Sequence, residues 1–223
     1  MLKFLRYYEG PESKRLTGRN VILFDIIVTK ILLGEKKAVS NLFGKQVLII
    51  IPKNHFCDQE LNGVRTVLQQ GGANVIVLSK SGQEAQGVNK EKFQPDGMIV
   101  DWDKQIGVDG KYHAVILVGG KGAKKSLWDD PIVPMILIDH YRFGSVVGAI
   151  GEALVVIQKA SLIIGDVPLP KDESTREELE RLNVACVDIP VIRGENLVLG
   201  QGVNSVSEFS RSIVDCIKSM RVK

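Results

Sequence analysis

From Lys45 onward, short runs of β-branched residues alternate with stretches of helical periodicity, and this alternation restricts the fold more than any other feature of the chain. Strands joined through helices pair in parallel, and the helices then cover both faces of the sheet. QVLIII (46–51) opens the series as a strand with no polar face. DQELNGVRTVLQQGG (58–72) places Leu61, Val64 and Leu68 on one helical face, with Asp58 as N-cap and Gly71 as the stop. NVIVLSK (74–80) and HAVILV (113–118) are the next strands. Between them MIVDW (98–102) and QIGVDGKY (105–112) read as turns or a small hairpin. The segment 129–141, DDPIVPMILIDHY, reads as a helix with Pro131 in its first turn, and Pro134 has to sit early in it.

The stretch SVVGAIGEALVVI (145–157) is a strand that breaks at Gly-Ala-Ile-Gly and resumes as a helix over about 152–160. A charged helix over 172–183, short β segments in VACVDIPVI and NLVLGQG, and an amphipathic helix over 205–220 complete the series. The expected architecture is therefore α/β, a sandwich with a mainly parallel central sheet. Residues 1–44 differ in style and are expected to form a helical N-terminal extension, leaving 45–223 as the main domain. At 223 residues the chain has room for one domain with an appendage and not for two full ones.

Composition excludes several classes of function. A formal charge of +3 is too small to argue for nucleic acid, and the lysines at Lys121, Lys124 and Lys125 come without RNP-like aromatics or zinc-finger spacing. Cys57, Cys186 and Cys216 are far apart and odd in number, so neither a disulfide framework nor a zinc site is expected. The apolar run Val21 to Leu33 is interrupted by Asp25, Thr29 and Lys30 and is too short to cross a bilayer. These features lead to the expectation of a cytoplasmic protein with no membrane or nucleic-acid partner, no metal and no cofactor.

Ligands of an open parallel sheet bind beyond the carboxyl ends of its strands, so the segments just after the strands hold the candidate residues. Three qualify: KNHFCDQE, GGKGAKK and GAIGEA. In GAIGEA, Gly148 and Gly151 either permit a tight turn and close packing or leave room for an anion at the following helix start. GGKGAKKS lacks the Gly-Lys-Ser/Thr ending of a phosphate loop, though Gly119 and Gly120 can present backbone N–H groups to an oxyanion. The alternative is a solvated loop. Glu60, early in its helix, points into the crevice or serves the helix dipole. Cys57 and His55 lie just before it, and Cys57 is either a nucleophile or an inert thiol. His113 and His140 read as structural, and Cys186 and Cys216 as core.

Taken in order, these segments resemble the DJ-1/PfpI superfamily, which also contains class I glutamine amidotransferase-like folds. The resemblance runs from about Lys45 to Met220 through VLIIIPKNHFCDQELNGVRTVLQQGGANVIVLS, PDGMIVD, YHAVILVGGKG, VVGAIGEALVVIQKASLIIGD and NLVLGQGVNSVSEFSRSIVDCI. It implies a flavodoxin-like three-layer sandwich that assembles as homodimers or larger homo-oligomers. It also implies peptidase, glyoxalase, deglycase, chaperone or redox-sensing activity centred on a cysteine in an Ala-Ile-Cys elbow. Glu60 matches the family glutamate, Gly119 and Gly120 the backbone donors, and Ala149 and Ile150 the elbow. Gly151 stands where the cysteine is expected, and Glu152 where a histidine often follows. Without sulfur no thioester or hemithioacetal forms at that position.

The resulting expectation is a divergent member, a pseudoenzyme that binds a small ligand through Gly119, Gly120, Gly151 and Glu152 or serves in assembly. The alternative is a hydrolase, peptidase or glyoxalase-like enzyme with Glu60 as base or Cys57 as displaced nucleophile. A third possibility gives the leading role to residues 1–44, whose apolar segment would cover a sheet edge or exchange between subunits.

Overall fold

The computed structural model describes residues 41–105, 107 and 110–220. The expected helical extension over 1–44 lies, up to residue 40, outside the described residues, as do positions 106, 108 and 109 of the expected turn. In chain order the elements are β1 (Gln46–Ile51), α1 (Asp58–Gln70), β2 (Asn74–Ser79), β3 (Ala85–Gln86), β4 (Lys92–Phe93), β5 (Gly97–Met98) and β6 (Ala114–Leu117). There follow α2 (Ala123–Ser126), α3 (Val133–Phe143), β7 (Val146–Ile150), α4 (Leu154–Lys159), β8 (Val167–Pro168) and α5 (Glu173–Arg181). The chain closes with β9 (Cys186–Val187), β10 (Val191–Arg193), β11 (Leu197–Gly200) and α6 (Val206–Ser219).

Seven strands form one sheet in the order β10-β11-β7-β6-β1-β2-β5, parallel throughout except for β10. Period-2 alternation along the strands sorts their side chains into two cores. Val47, Ile49 and Ile51 of β1 meet Leu61, Val64 and Leu68 of α1 together with Phe209 and Ile213 of α6. Leu48 and Ile50 instead join Ile136 and Leu137 of α3, Leu154 and Ile157 of α4, and Leu179 of α5. The product is a flavodoxin-like three-layer sandwich, with α1 and α6 on one face and α3, α4 and α5 on the other. Every residue from Val47 to Ile51 is fully buried, and each such aliphatic side chain contributes about 1.5–3 kcal/mol through burial.

Glycines set how closely the layers approach. A Cβ at Gly63 would lie 2.3 Å from Cγ1 of Val206, and one at Gly148 would lie 2.7 Å from Cδ1 of Ile213. Helix α6 therefore approaches both α1 and the sheet at closer range than any larger residue at these two positions allows.

Several boundaries differ from those the sequence suggested. Asp58 is not the N-cap of α1; that position is Cys57, and Asp58 is the first helical residue, its Oδ2 accepting from the backbone N–H of Asn89 at 2.8 Å. The helix stops where Gly71 predicts, with Gly72 taking the left-handed conformation at φ +90°. Helix α3 begins at Val133 instead of Asp129, because Asp130 Oδ1 accepts the N–H groups of Ile132 and Val133 and holds the preceding residues in a turn. Pro134 falls in its first turn and Gly144, at φ +92°, closes it. Met98 is not in a hairpin: Gly97–Met98 extends the main sheet beside β2, and Ile99–Asp101 forms a 3-10 turn. The hairpin lies earlier, between β3 and β4. His113 precedes β6, its Nδ1 accepting from the Gln46 N–H, and His140 is fully buried between Ile136 O and the Tyr112 N–H. Among the described residues no helix is long and apolar enough to cross a membrane.

Candidate functional site

β7, β6 and β1 are neighbours in the sheet, so the loops that leave their carboxyl ends meet on one rim. These loops carry the three candidate segments. The meeting is made main chain to main chain: the Cys57 N–H donates to Gly119 O at 3.0 Å and the Gly122 N–H to His55 O at 3.1 Å. Gly120 is required there, since at φ +109° a Cβ would fall 2.4 Å from His55 O and 2.5 Å from the Cys57 nitrogen.

Onto this frame the chain places two carboxyl groups. Glu60, 2% exposed, accepts the Gly119 N–H through Oε2 at 2.9 Å. Glu152, half-buried, accepts the Gly120 N–H through its own Oε2 at 2.8 Å. Both donors expected to face an oxyanion are thus held by side chains of the protein. Burial first, and the nearby Glu152 charge second, push the Glu60 carboxyl up to about 8, against the opposing pull of the Gly119 N–H and the Cys57 thiol. At neutral pH Glu60 is mostly protonated. Cys57, buried at the N-cap of α1, is pushed up to about 12 by burial and then by the Glu60 charge. Its thiol stays protonated under the same conditions.

Gly151 follows the last residue of β7 with φ +62°, the left-handed region, and begins the 3-10 turn Gly151–Ala153 that runs into α4. A Cβ built on it would lie 2.8 Å from Glu60 Oε1. The Glu60 carboxyl therefore occupies the space directly beside the elbow. The structure brings together Glu60, Cys57, Gly119, Gly120, Gly151 and Glu152. It leaves the His55 side chain exposed, that residue contributing through its backbone. Cys186 and Cys216 lie away from this rim, on β9 and α6.

Sequence reasoning missed Trp128, whose Nε1 donates to the backbone oxygen of Glu152 at 2.8 Å and fixes the outer side of the elbow. An indole three residues beyond a lysine pair carries no local signal of that contact. Among the described residues no group of three or more His, Cys, Asp or Glu is arranged to hold a metal ion.

A three-layer α/β sandwich with a glycine elbow, a glutamate on the helix that follows β1 and a Gly-Gly pair after a central strand defines the class. Residues 45–216 match the model of the DJ-1/PfpI family, and the chain belongs to that family. It is 26% identical over 187 residues to an uncharacterized protein of Methanocaldococcus jannaschii, covering 83% of this chain and 87% of that one. A ThiJ/PfpI domain protein from Brachyspira murdochii superposes with a TM-score of 0.68 at 22% identity, over 80% of this chain and all of the other (100%). DJ-1beta of Drosophila melanogaster superposes with a TM-score of 0.65 at 22% identity, over 78% and 94% of the two chains.

Proposed function

We propose that this chain is a DJ-1/PfpI protein that binds a small ligand without the family's cysteine-dependent chemistry. One observation carries the reading: both N–H groups of the Gly119-Gly120 pair are taken by the chain's own carboxyl groups, beside an elbow residue with no side chain. A tetrahedral oxyanion needs those donors free at the moment it forms. Gly151 has nothing to attack with, and the protonated Cys57 thiol weighs against a displaced nucleophile. The resemblance to the family further supports assembly as a homodimer or larger homo-oligomer, which light scattering at several protein concentrations tests.

The test of the main reading is turnover. Wild-type protein is expected to leave methylglyoxal and unstructured peptide substrates unchanged at neutral pH. Turnover that disappears in Glu60→Gln would replace this reading with the second one, in which Glu60 is a general base acting on water. That second reading draws support from a carboxyl that titrates near neutrality, the range in which a base works best.

A further inference from the structure

On the outer side of Glu152 lies a half-open cleft of about 160 Å³. Lys121 and Lys124 line it on the β6 side, Asp172 on the α5 side, and Trp128 and Glu152 between them. Lys124 Nζ stands 5.5 Å from the Trp128 ring centroid, and among the described residues neither Lys121 nor Lys124 is ion-paired with a carboxylate. The acidic residues are half satisfied. Glu152 uses Oε2 on the Gly120 N–H, and Asp172 uses Oδ2 on the Ser174 hydroxyl, the Thr175 hydroxyl and the Thr175 N–H. Among the described residues Glu152 Oε1 and Asp172 Oδ1 accept no hydrogen bond, and both groups face the same cleft. Two lysines with no carboxylate in ion-pair range, one of them standing over the Trp128 ring, and two acceptor oxygens that take no hydrogen bond from the described residues thus line one small space.

We propose that this cleft binds a small zwitterion of the α-amino acid class, its carboxylate toward Lys121 and Lys124 and its ammonium toward Glu152 and Asp172. A singly charged ligand satisfies one set of groups and crowds like charge against the other. A zwitterion satisfies both at once. The volume is about five times the ~30 Å³ that a water molecule occupies in the liquid, which suits roughly five to eight non-hydrogen atoms. Glycine, alanine and serine fall in that range. Trp128, 4% exposed, forms part of the cleft wall. Exposed ion pairs are individually weak, so the dissociation constant is expected on the order of 1 mM. The proposal rests on the binding reading given above and names its ligand class.

The experiment is titration of the full chain with glycine, L-alanine and L-serine, followed by protein-observed NMR, beside acetate, inorganic phosphate and ethylamine. The amino acids are expected to saturate, and the singly functional compounds to bind roughly tenfold more weakly or worse. Lys121→Ala with Lys124→Ala, both exposed positions, is expected to weaken L-alanine by about tenfold or more with the fold unchanged. Acetate or phosphate binding as tightly as L-alanine would overturn the proposal in favour of a plain anion site. L-alanine binding that survives the double substitution, or no saturation at about 10 mM, would also overturn it. Product analysis of the same mixtures separates the two readings. L-alanine bound but chemically altered would sink the non-catalytic reading and leave the cleft standing, whereas L-alanine recovered intact without saturation would do the reverse.

Discussion

Glu60 and Glu152 accept neighbouring N–H groups of one Gly-Gly pair, yet they sit in different solvents. Glu60 is enclosed by α1, the elbow and the Cys57 thiol, and holds its proton up to about pH 8. Glu152 stands at the boundary of the rim, with one oxygen on Gly120 and the other toward an open cleft lined by lysines. The contrast shows how a shared backbone motif can serve two purposes. On the enclosed side the donors are capped and the carboxyl acts as an internal filler; on the open side the carboxylate remains available to something arriving from water.

The substitution that breaks this comparison most completely is Gly120→Ala. Its Cβ would meet backbone atoms of His55 and Cys57 that have no freedom to withdraw, and φ +109° is itself costly for alanine. A loss of at least about 3 kcal/mol in urea unfolding is expected, because the joint between both sides is pried open.

Next in size is the pH dependence of stability. The folded value of Glu60, about 8, lies above its ordinary value of 4.5, so folding tightens its hold on the proton. The contribution is complete below about pH 4.5 and drains away as pH rises through about 8. Stability should therefore fall over that window by something on the order of a few kcal/mol, and Glu60→Gln should flatten the slope. A slope that survives Glu60→Gln would assign the proton to another group.

Gly151→Cys is a sharper and smaller probe. The new Cβ asks only the end of the Glu60 side chain to move, and the left-handed backbone costs about 1–2 kcal/mol. The thiol would stand beside a protonated carboxyl able to donate to a thiolate, so iodoacetamide should label it well ahead of Cys57 and Cys216. Labelling no faster than at those two would show that the enclosed side no longer supports thiolate chemistry. The smallest effect belongs to Glu152→Gln. Removing that charge takes away the second cause of the raised Glu60 value, so the Glu60 carboxyl should titrate lower in carbon-detected NMR.

Much of the frame was legible because it rests on repeated, averaged signals. The unbroken apolar run from Val47 to Ile51 and the Leu61, Val64, Leu68 stripe report burial many times over, and the two cores follow from them. Single hydrogen bonds leave no such trace. Asp58 reads as a helix cap in sequence, and only the position of Asn89 decides what it holds, just as only the turn before Val133 shows what Asp130 holds. Two-residue strands such as Gly97–Met98 are defined by their neighbour and not by their own composition. At the site, Glu60 and the Gly-Gly pair could be placed near the rim from chain order. That the Glu60 carboxyl lies against the elbow, and that Trp128 braces it from outside, depends on distances between segments far apart in the chain.

The stitch between Cys57 and Gly119, and between Gly122 and His55, uses only peptide groups. Peptide groups are common to every residue but proline on the donor side, so away from the close approaches at Gly120 and Gly122 the two loops keep their alignment when the side chains they carry are exchanged. A nucleophile, a base or a binding carboxylate can be gained or lost on such a joint without the joint having to be rebuilt. The rim is in that sense a mounting plate, and the chemistry fixed to it is replaceable hardware.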